Sequence, residues 1–159
     1  MTGRWGTPAE ALKRAIAELQ AHGIKVQKVS AFRETAPVGP RWQPNFVNAV
    51  VLVRADRGLV SMLMLLKGLE RAAGRRQGGR WGPRPLDIDI LDFGQRIVNW
   101  PARPPHLRPR LVLPHPELHK RDFALRPLRE IMPGWRHPVL GLTAEQLMKQ
   151  AHRNRAVRP

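Results

Sequence analysis

Two aspartates set two residues apart, Asp87 and Asp89, are the side chains with the clearest chemical potential in this sequence. They lie in Leu86-Asp87-Ile88-Asp89-Ile90, an apolar and β-branched pattern that predicts a strand ending before Gly94. Because side chains alternate along a strand, both carboxylates are expected on one face and the apolar side chains on the other. Asp92 has the opposite parity and is not expected to join the pair.

Two carboxylates in this arrangement stand roughly 6.6 Å apart. At an effective dielectric constant of about 20, they repel each other by about 2–3 kcal/mol. A divalent cation between them relieves the repulsion, and Mg²⁺ typically takes one or two carboxylates together with substrate phosphates. The alternative interpretation is a solvated strand face that binds nothing.

A glycine-rich stretch with several arginines precedes the aspartate pair. It contains Arg75, Arg76, Arg80 and Arg84 among Gly74, Gly78 and Gly79. Guanidinium groups match the geometry of phosphate oxygens, and glycines allow a loop to move. Carboxylates for a metal next to arginines for phosphate favour phosphoryl-type transfer from a nucleotide.

Composition limits the class of protein. The chain has 159 residues, 42% of them hydrophobic, which is enough for the core of one domain spanning residues 1–159. No apolar run is long enough to cross a membrane, and the absence of cysteine suits a reducing compartment. We therefore expect a cytoplasmic protein, and we expect a monomer.

The formal net charge of +16 indicates a polyanionic partner, either a nucleic acid or a nucleotide triphosphate. The basic residues are spread along the whole chain, with no basic tail and no nucleic-acid-binding motif. Nucleic-acid binding is therefore not expected to be the main function.

Periodicity and capping patterns place these motifs on elements. Four helices are predicted. The first runs from the capping box at Thr7 to Gly23, and the second from a cap at Asp56 to Gly74. The third covers 123–131 with an interruption at Pro127, and the fourth runs from the capping box at Thr143 to about Gln150. Strands are predicted over 24–32 and 46–53, the second covered on both faces, and Ile97-Val98 is expected to pair with the aspartate strand. The order is that of a split βαβ, ferredoxin-like fold without its first strand.

These motifs together resemble the 6-hydroxymethyl-7,8-dihydropterin pyrophosphokinase family of folate biosynthesis. The most specific match is Arg80-Trp81-Gly82-Pro83-Arg84 followed by the Asp-x-Asp segment, and the resemblance extends over about residues 7–132 in consistent order. It implies an α/β (α+β) fold with a ferredoxin-like core, a mostly antiparallel sheet covered by helices on both faces. It also implies transfer of the β,γ-pyrophosphoryl group of ATP to the hydroxymethyl oxygen of the pterin, with release of AMP.

The resemblance assigns a role to each matching residue. Asp87 and Asp89 would bind two Mg²⁺ ions, and Arg75 and Arg84 would hold the transferring phosphates. In the family, the residue that matches Asp87 is also near enough to take the hydroxymethyl proton. The pterin would contact Thr35, Ala36, Val38, Phe46, Asn48, Trp81 and Phe123, with the two phenylalanines stacking on the ring and Trp81 closing over it. ATP would contact Glu70, Arg75, Arg84, Ile90, Arg110, His115 and Arg121.

The sequence departs from the family at its start. The family begins with an apolar strand that runs into Gly-Ser-Asn, whereas this chain has Gly3-Arg4-Trp5-Gly6. There are three explanations: the true start lies upstream of Met1, another element takes the place of the strand, or the protein is a relic of an active ancestor. Val112 and Pro116 also stand where polar side chains often meet ATP, and the loop before Trp81 is shorter than usual. The alternative is therefore that this protein is a catalytically impaired relative of the family, which binds a nucleotide, a pterin or nucleic acid.

Overall fold

The computed structural model describes residues 4–36, 45–74, 85–101 and 111–156, with the side chains of 154–156 excepted. The chain forms two compact units, Met1–Ile88 and Asp89–Pro159. Within the described ranges there are four α-helices and two antiparallel strand pairs, which confirms the predicted α+β fold class. No helix in these ranges is long and apolar enough to span a membrane.

The first unit begins with helix α1, Pro8–Ala21, as the capping box predicted. The backbone N–H of Thr7 donates to Glu10 Oε2 at 2.7 Å, and the backbone N–H of Glu10 donates to Thr7 Oγ1 at 3.3 Å. Two of the free N–H groups at the helix start are thereby satisfied. The helix buries Ala11, Ala15 and Leu19, and it packs against the strand that follows.

The strands of the first unit are shorter than predicted. Strand β1, Lys25–Val29, pairs with β4, Val51–Arg54, and β2, Arg33–Thr35, pairs with β3, Phe46–Asn48. The strand predicted over 24–32 therefore ends at Val29, and β2 begins only after its predicted end. The strand predicted over 46–53 is divided into β3 and β4.

The division has a local cause at Ser30, which is buried. Its hydroxyl accepts a 2.9 Å hydrogen bond from the backbone N–H of Val50, so a side chain takes the place of a ladder partner at the break. Phe46 is exposed, and residues 51–53 are half-buried. The prediction that the second strand is covered on both faces is therefore wrong.

Helix α2, Leu59–Ala72, closes the first unit and was correctly predicted from its apolar stripe. Gly58 is the N-cap and no side chain bonds to the helix start, so the predicted cap at Asp56 is wrong. Met62, Leu66 and Leu69 are buried, as expected of a core-facing stripe. A carboxylate, Glu70, is buried with them.

Residues 86–92 do not form the predicted strand. Among the backbone groups of this segment, the N–H of Ile88 donates to Glu70, and the carbonyl of Leu91 accepts from the N–H of His115. Val98 pairs with Leu113 through two 2.9 Å hydrogen bonds, so its predicted pairing with the aspartate segment is also wrong. A segment without a ladder neighbour forms no strand, whatever its propensity.

The second unit is built around a 3₁₀ turn, Leu118–Lys120, and helices α3, Asp122–Ile131, and α4, Ala144–Ala156. α4 packs on both other elements. Among the described residues, the largest fully buried aliphatic side chains of the second unit are Leu113, Leu118, Leu125 and Leu147.

Two predictions for these helices need correction. α3 continues through Pro127, which is buried, so the predicted interruption is wrong; packing of the residues around it outweighs the lost backbone bond. α4 begins at the predicted capping box of Thr143 and Gln146 but runs to Ala156 rather than stopping near Gln150.

Candidate active site

In the first unit, the β2–β3 pair brings together three residues that were predicted to contact a pterin. Thr35 lies opposite Phe46, and Asn48 lies opposite Arg33, two residues from Thr35. Because side chains alternate in a strand, Thr35, Phe46 and Asn48 share one face of the pair. Nδ2 of Asn48 donates a 2.7 Å hydrogen bond to Thr35 Oγ1, which fixes the orientation of the amide.

The first unit also contains a buried carboxylate bonded to the aspartate segment. Glu70 is fully buried on α2, and its Oε1 accepts a 2.8 Å hydrogen bond from the backbone N–H of Ile88. Asp87 is exposed while Leu86 is buried and Ile88 is half-buried. The alternation expected from the sequence is thus present without a strand.

In the second unit, Asp89 is exposed and lies near one histidine and one arginine. Nε2 of His115 lies 3.6 Å and a guanidinium nitrogen of Arg121 lies 3.8 Å from Asp89 Oδ2. Both distances exceed an ordinary hydrogen bond, so these neighbours attract the carboxylate without occupying its oxygens in hydrogen bonds. The Arg121 guanidinium also lies 5.7 Å from the ring centre of Phe123, within cation–π range.

The tautomer of His115 follows from its other nitrogen. Nδ1 accepts a hydrogen bond of 3.2 Å from the backbone N–H of Glu117. A neutral imidazole with an acceptor at Nδ1 carries its proton on Nε2. The nitrogen that faces Asp89 is therefore the donor in either protonation state of the ring.

Asp92 has a different role from the aspartate pair, as its parity suggested. Its carboxylate accepts from the backbone N–H of Gln95 at 3.0 Å and from the indole Nε1 of Trp135 at 2.8 Å. These bonds tie the end of the aspartate segment to the core of the second unit. No periodicity or motif indicated the contribution of Trp135.

Two histidines of the second unit lie in an aromatic cluster that the sequence did not reveal. The rings of His119 and His137 meet edge-on at 6.2 Å, and both contact Trp100. His137 is fully buried, and its Nδ1 accepts from the backbone N–H groups of Val139 and Leu140. Burial lowers the pKa of both imidazoles, and the nearby His119 lowers that of His137 further.

The chain is similar to known proteins over most of its length. A family model described as 7,8-dihydro-6-hydroxymethylpterin-pyrophosphokinase matches residues 3–133. The chain belongs to this family. It is 36% identical over 149 residues to a 2-amino-4-hydroxy-6-hydroxymethyldihydropteridine pyrophosphokinase of Synechocystis, a match that covers 93% of this chain and 72% of the relative.

Two further relatives of the same name support the assignment to the pyrophosphokinase family. The Haemophilus influenzae protein is 35% identical over 126 residues, or 79% of this chain and 74% of the relative. The Bacillus subtilis protein is 36% identical over 121 residues, or 76% of this chain and 68% of the relative. The family resemblance expected from the motifs is thereby confirmed.

Of the remaining residues predicted from the pyrophosphokinase motifs, two lie within the part of the chain that the structure describes and five lie outside it. Ala36 is exposed just after β2, and Ile90 is half-buried next to Asp89. Outside the described residues lie Val38, Arg75, Trp81, Arg84 and Arg110.

Proposed function

We propose that this chain catalyses the pyrophosphokinase reaction of its family. The hydroxymethyl oxygen of 6-hydroxymethyl-7,8-dihydropterin bonds to the β-phosphorus of ATP, the bond from that phosphorus to the α,β-bridging oxygen breaks, and AMP leaves. The hydroxymethyl proton is lost to a base, for which Asp87 is our candidate. The observation that carries the proposal is the family match over residues 3–133, which includes both aspartates.

We assign Asp87 and Asp89 as the ligands of two Mg²⁺ ions. Both carboxylates are exposed, and neither oxygen of Asp89 accepts a short hydrogen bond from His115 or Arg121. Hard oxygen donors of this kind fit Mg²⁺, and a set of two carboxylates leaves positions for phosphate oxygens and water. When bound, Mg²⁺ would neutralise charge on the phosphates and orient them for displacement. The described residues contain no group of three or more histidines and acids that could form a different metal site.

ATP phosphates would meet the cationic side chains near Asp89. Arg121 presents a planar fork suited to phosphate oxygens, and the proton on Nε2 of His115 makes that nitrogen a donor. Arg75 and Arg84 are assigned to the transferring phosphates from the family motif, and Glu70, Ile90 and Arg110 to the nucleotide. These donors stabilise negative charge as it moves onto the leaving AMP.

The pterin would lie against the shared face of the β2–β3 pair. Phe46 is 47% exposed there, which is unusual for a large apolar ring and leaves it free to stack on a flat heterocycle. The amide of Asn48, oriented by Thr35, would hydrogen-bond the amide edge of the pterin ring. Ala36, Val38, Trp81 and Phe123 complete the set of residues that the family motif assigns to the pterin.

The direct test is AMP release with ATP, MgCl₂ and the pterin, each omitted in turn. AMP is expected only with all three present, and chelation by EDTA should stop turnover until Mg²⁺ is restored. Asp87→Asn and Asp89→Asn should each lower kcat on the order of 10²-fold or more, because each removes charge that holds the metal. Asp56→Asn changes an exposed aspartate elsewhere and should retain wild-type activity.

Wild-type turnover in both site variants would contradict the metal assignment. Titration calorimetry with a non-hydrolysable ATP analogue and Mg²⁺, with and without the pterin, separates an enzyme from an impaired relative. We expect the nucleotide to bind first and to raise the affinity for the pterin. Strongly salt-dependent binding of unrelated RNA, without AMP release, would overturn the proposal in favour of a nucleic-acid-binding relative.

A further inference from the structure

We infer that Glu70 is a positioning residue that holds the backbone between the two aspartates. The inference rests on the proposed function, because it concerns how Asp87 and Asp89 are presented to Mg²⁺. It assigns Glu70 a task that it performs through Ile88, in addition to the nucleotide contact expected from the family motif.

The burial of Glu70 is difficult to explain by packing alone. The other large buried side chains of α2, Met62, Leu66 and Leu69, are apolar, and an apolar residue at position 70 would fill the same core. A buried carboxylate lowers stability unless it is paired and hydrogen-bonded. The carboxylate places an acceptor 2.8 Å from the N–H of Ile88, which an apolar side chain could not provide.

Lys67 makes this buried charge tolerable. Its ammonium lies 2.8 Å from Glu70 Oε1 and 3.0 Å from Oε2, one turn earlier on the same helix. The lysine is 39% exposed and the glutamate 1%, so the cation remains in contact with water while it neutralises the acid. The ammonium places a positive charge beside both carboxylate oxygens, and a hydrogen bond from a backbone N–H to a carboxylate is stronger than one between neutral groups.

The bond matters because residues 86–92 have no ladder to fix them. The N–H of Ile88 belongs to the peptide group that joins it to Asp87, and that group is planar. Holding this plane, with Leu86 buried beside it, limits the rotation that could turn Asp87 away from a bound metal. Glu70 thus replaces the strand neighbour that the sequence pattern had predicted.

The test compares Glu70→Ala, Glu70→Gln and a matched control, Leu66→Ala, which removes a buried side chain of the same helix and leaves the Glu70 carboxylate in place. Thermal unfolding shows that each variant is folded at the assay temperature. Glu70→Ala should raise the Mg²⁺ concentration for half-maximal activity, or lower kcat, about 10- to 100-fold, as for other residues that orient metal ligands. Glu70→Gln retains an acceptor oxygen and should recover much of that loss, while Leu66→Ala should keep the wild-type Mg²⁺ dependence.

Hydrogen exchange of the Ile88 amide, followed by NMR without ligands, gives a readout that does not depend on turnover. We expect slow exchange in wild type and in Leu66→Ala, and fast exchange in Glu70→Ala. Binding of Mn²⁺ with a non-hydrolysable ATP analogue, followed by electron paramagnetic resonance, should weaken in Glu70→Ala alone.

The outcomes separate the two proposals. A protected Ile88 amide together with weakened Mn²⁺ binding in Glu70→Ala, but no AMP release from wild type, would retain the positioning role and reject the proposed function. An unprotected amide in wild type, or a folded Glu70→Ala with wild-type Mg²⁺ and Mn²⁺ dependence, would overturn the positioning role. Equal impairment of Glu70→Gln and Glu70→Ala would overturn it as well, in favour of direct contact between the Glu70 charge and the ligand.

Discussion

The indole Nε1 of Trp135 donates a 2.8 Å hydrogen bond to Oδ2 of Asp92, across 43 positions of the chain. Trp135 is 3% exposed, so the bond links a core side chain of the second unit to Asp92, at the end of the aspartate segment. A hydrogen bond to a charged acceptor in such a place contributes more than an ordinary one. The end of the aspartate segment is therefore fixed by the C-terminal part of the second unit.

Trp135→Phe should lower the free energy of unfolding by about 1.5–3 kcal/mol, because it leaves the Asp92 carboxylate without its indole donor. Urea unfolding followed by circular dichroism measures the change, and Asp92→Asn, which keeps an acceptor oxygen, should lose less. An unchanged unfolding midpoint in Trp135→Phe would show that the bond does not contribute to stability.

The buried histidines predict a loss of stability in mild acid. Burial lowers the folded-state pKa of His119 and His137 below the ordinary histidine value of 6.5. Between the lowered pKa and 6.5 the unfolded chain binds more protons, so stability rises with pH through this window and is lost as pH falls below 6.5. Urea unfolding at pH 5.5 and 7.5 should show the difference.

His137→Asn provides the test of that assignment. The asparagine oxygen can accept the N–H bonds now made to Nδ1 of His137, but the side chain does not titrate. The variant should show a smaller difference in stability between the two pH values. His22→Asn, a change at an exposed histidine of the first unit, should leave the wild-type difference intact, and equal flattening in both variants would contradict the assignment.

The hydrogen bond between Thr35 and Asn48 predicts that substitutions at these residues change the KM for the pterin and not the KM for ATP. Thr35→Val removes the hydroxyl that orients the amide, and loss of one hydrogen bond of about 1 kcal/mol corresponds to about a fivefold rise in KM for the pterin. Asn48→Ala should raise this KM more, with KM for ATP unchanged in both. Glu34→Ala, on the opposite face of β2, should behave as wild type in steady-state assays; a rise in KM for ATP alone would refute the placement.

Arg121 is expected to act on the nucleotide. Arg121→Ala should lower kcat/KM for ATP on the order of 10- to 100-fold, the loss of a hydrogen bond between charged groups. Arg121→Lys retains the charge without the planar fork and should recover only part of the loss. Arg126→Ala changes an exposed arginine of α3, the helix whose N-cap is Arg121, and is the matched control. Equal losses in the Arg121→Ala and Arg126→Ala variants would indicate a general effect of net charge instead.

Much of the local structure was predictable because its causes are local. The capping box at Thr7 and the apolar stripe of α2 predicted two helices, since caps and helical spacing act within a few residues. The parity of Asp87 and Asp89 was also correct: both are exposed between more buried neighbours. The motif around them was sufficient to suggest the family before any comparison.

What the sequence by itself determined was therefore the set of helices, the exposed aspartate pair and the family resemblance. The tertiary structure decided which groups hold the aspartate segment: Glu70 at Ile88, and Trp135 at Asp92. Periodicity records which side of a segment is buried, but it does not record the partner of a given N–H or carboxylate. Those partners lie 18 and 43 positions away and are chosen only when the chain packs.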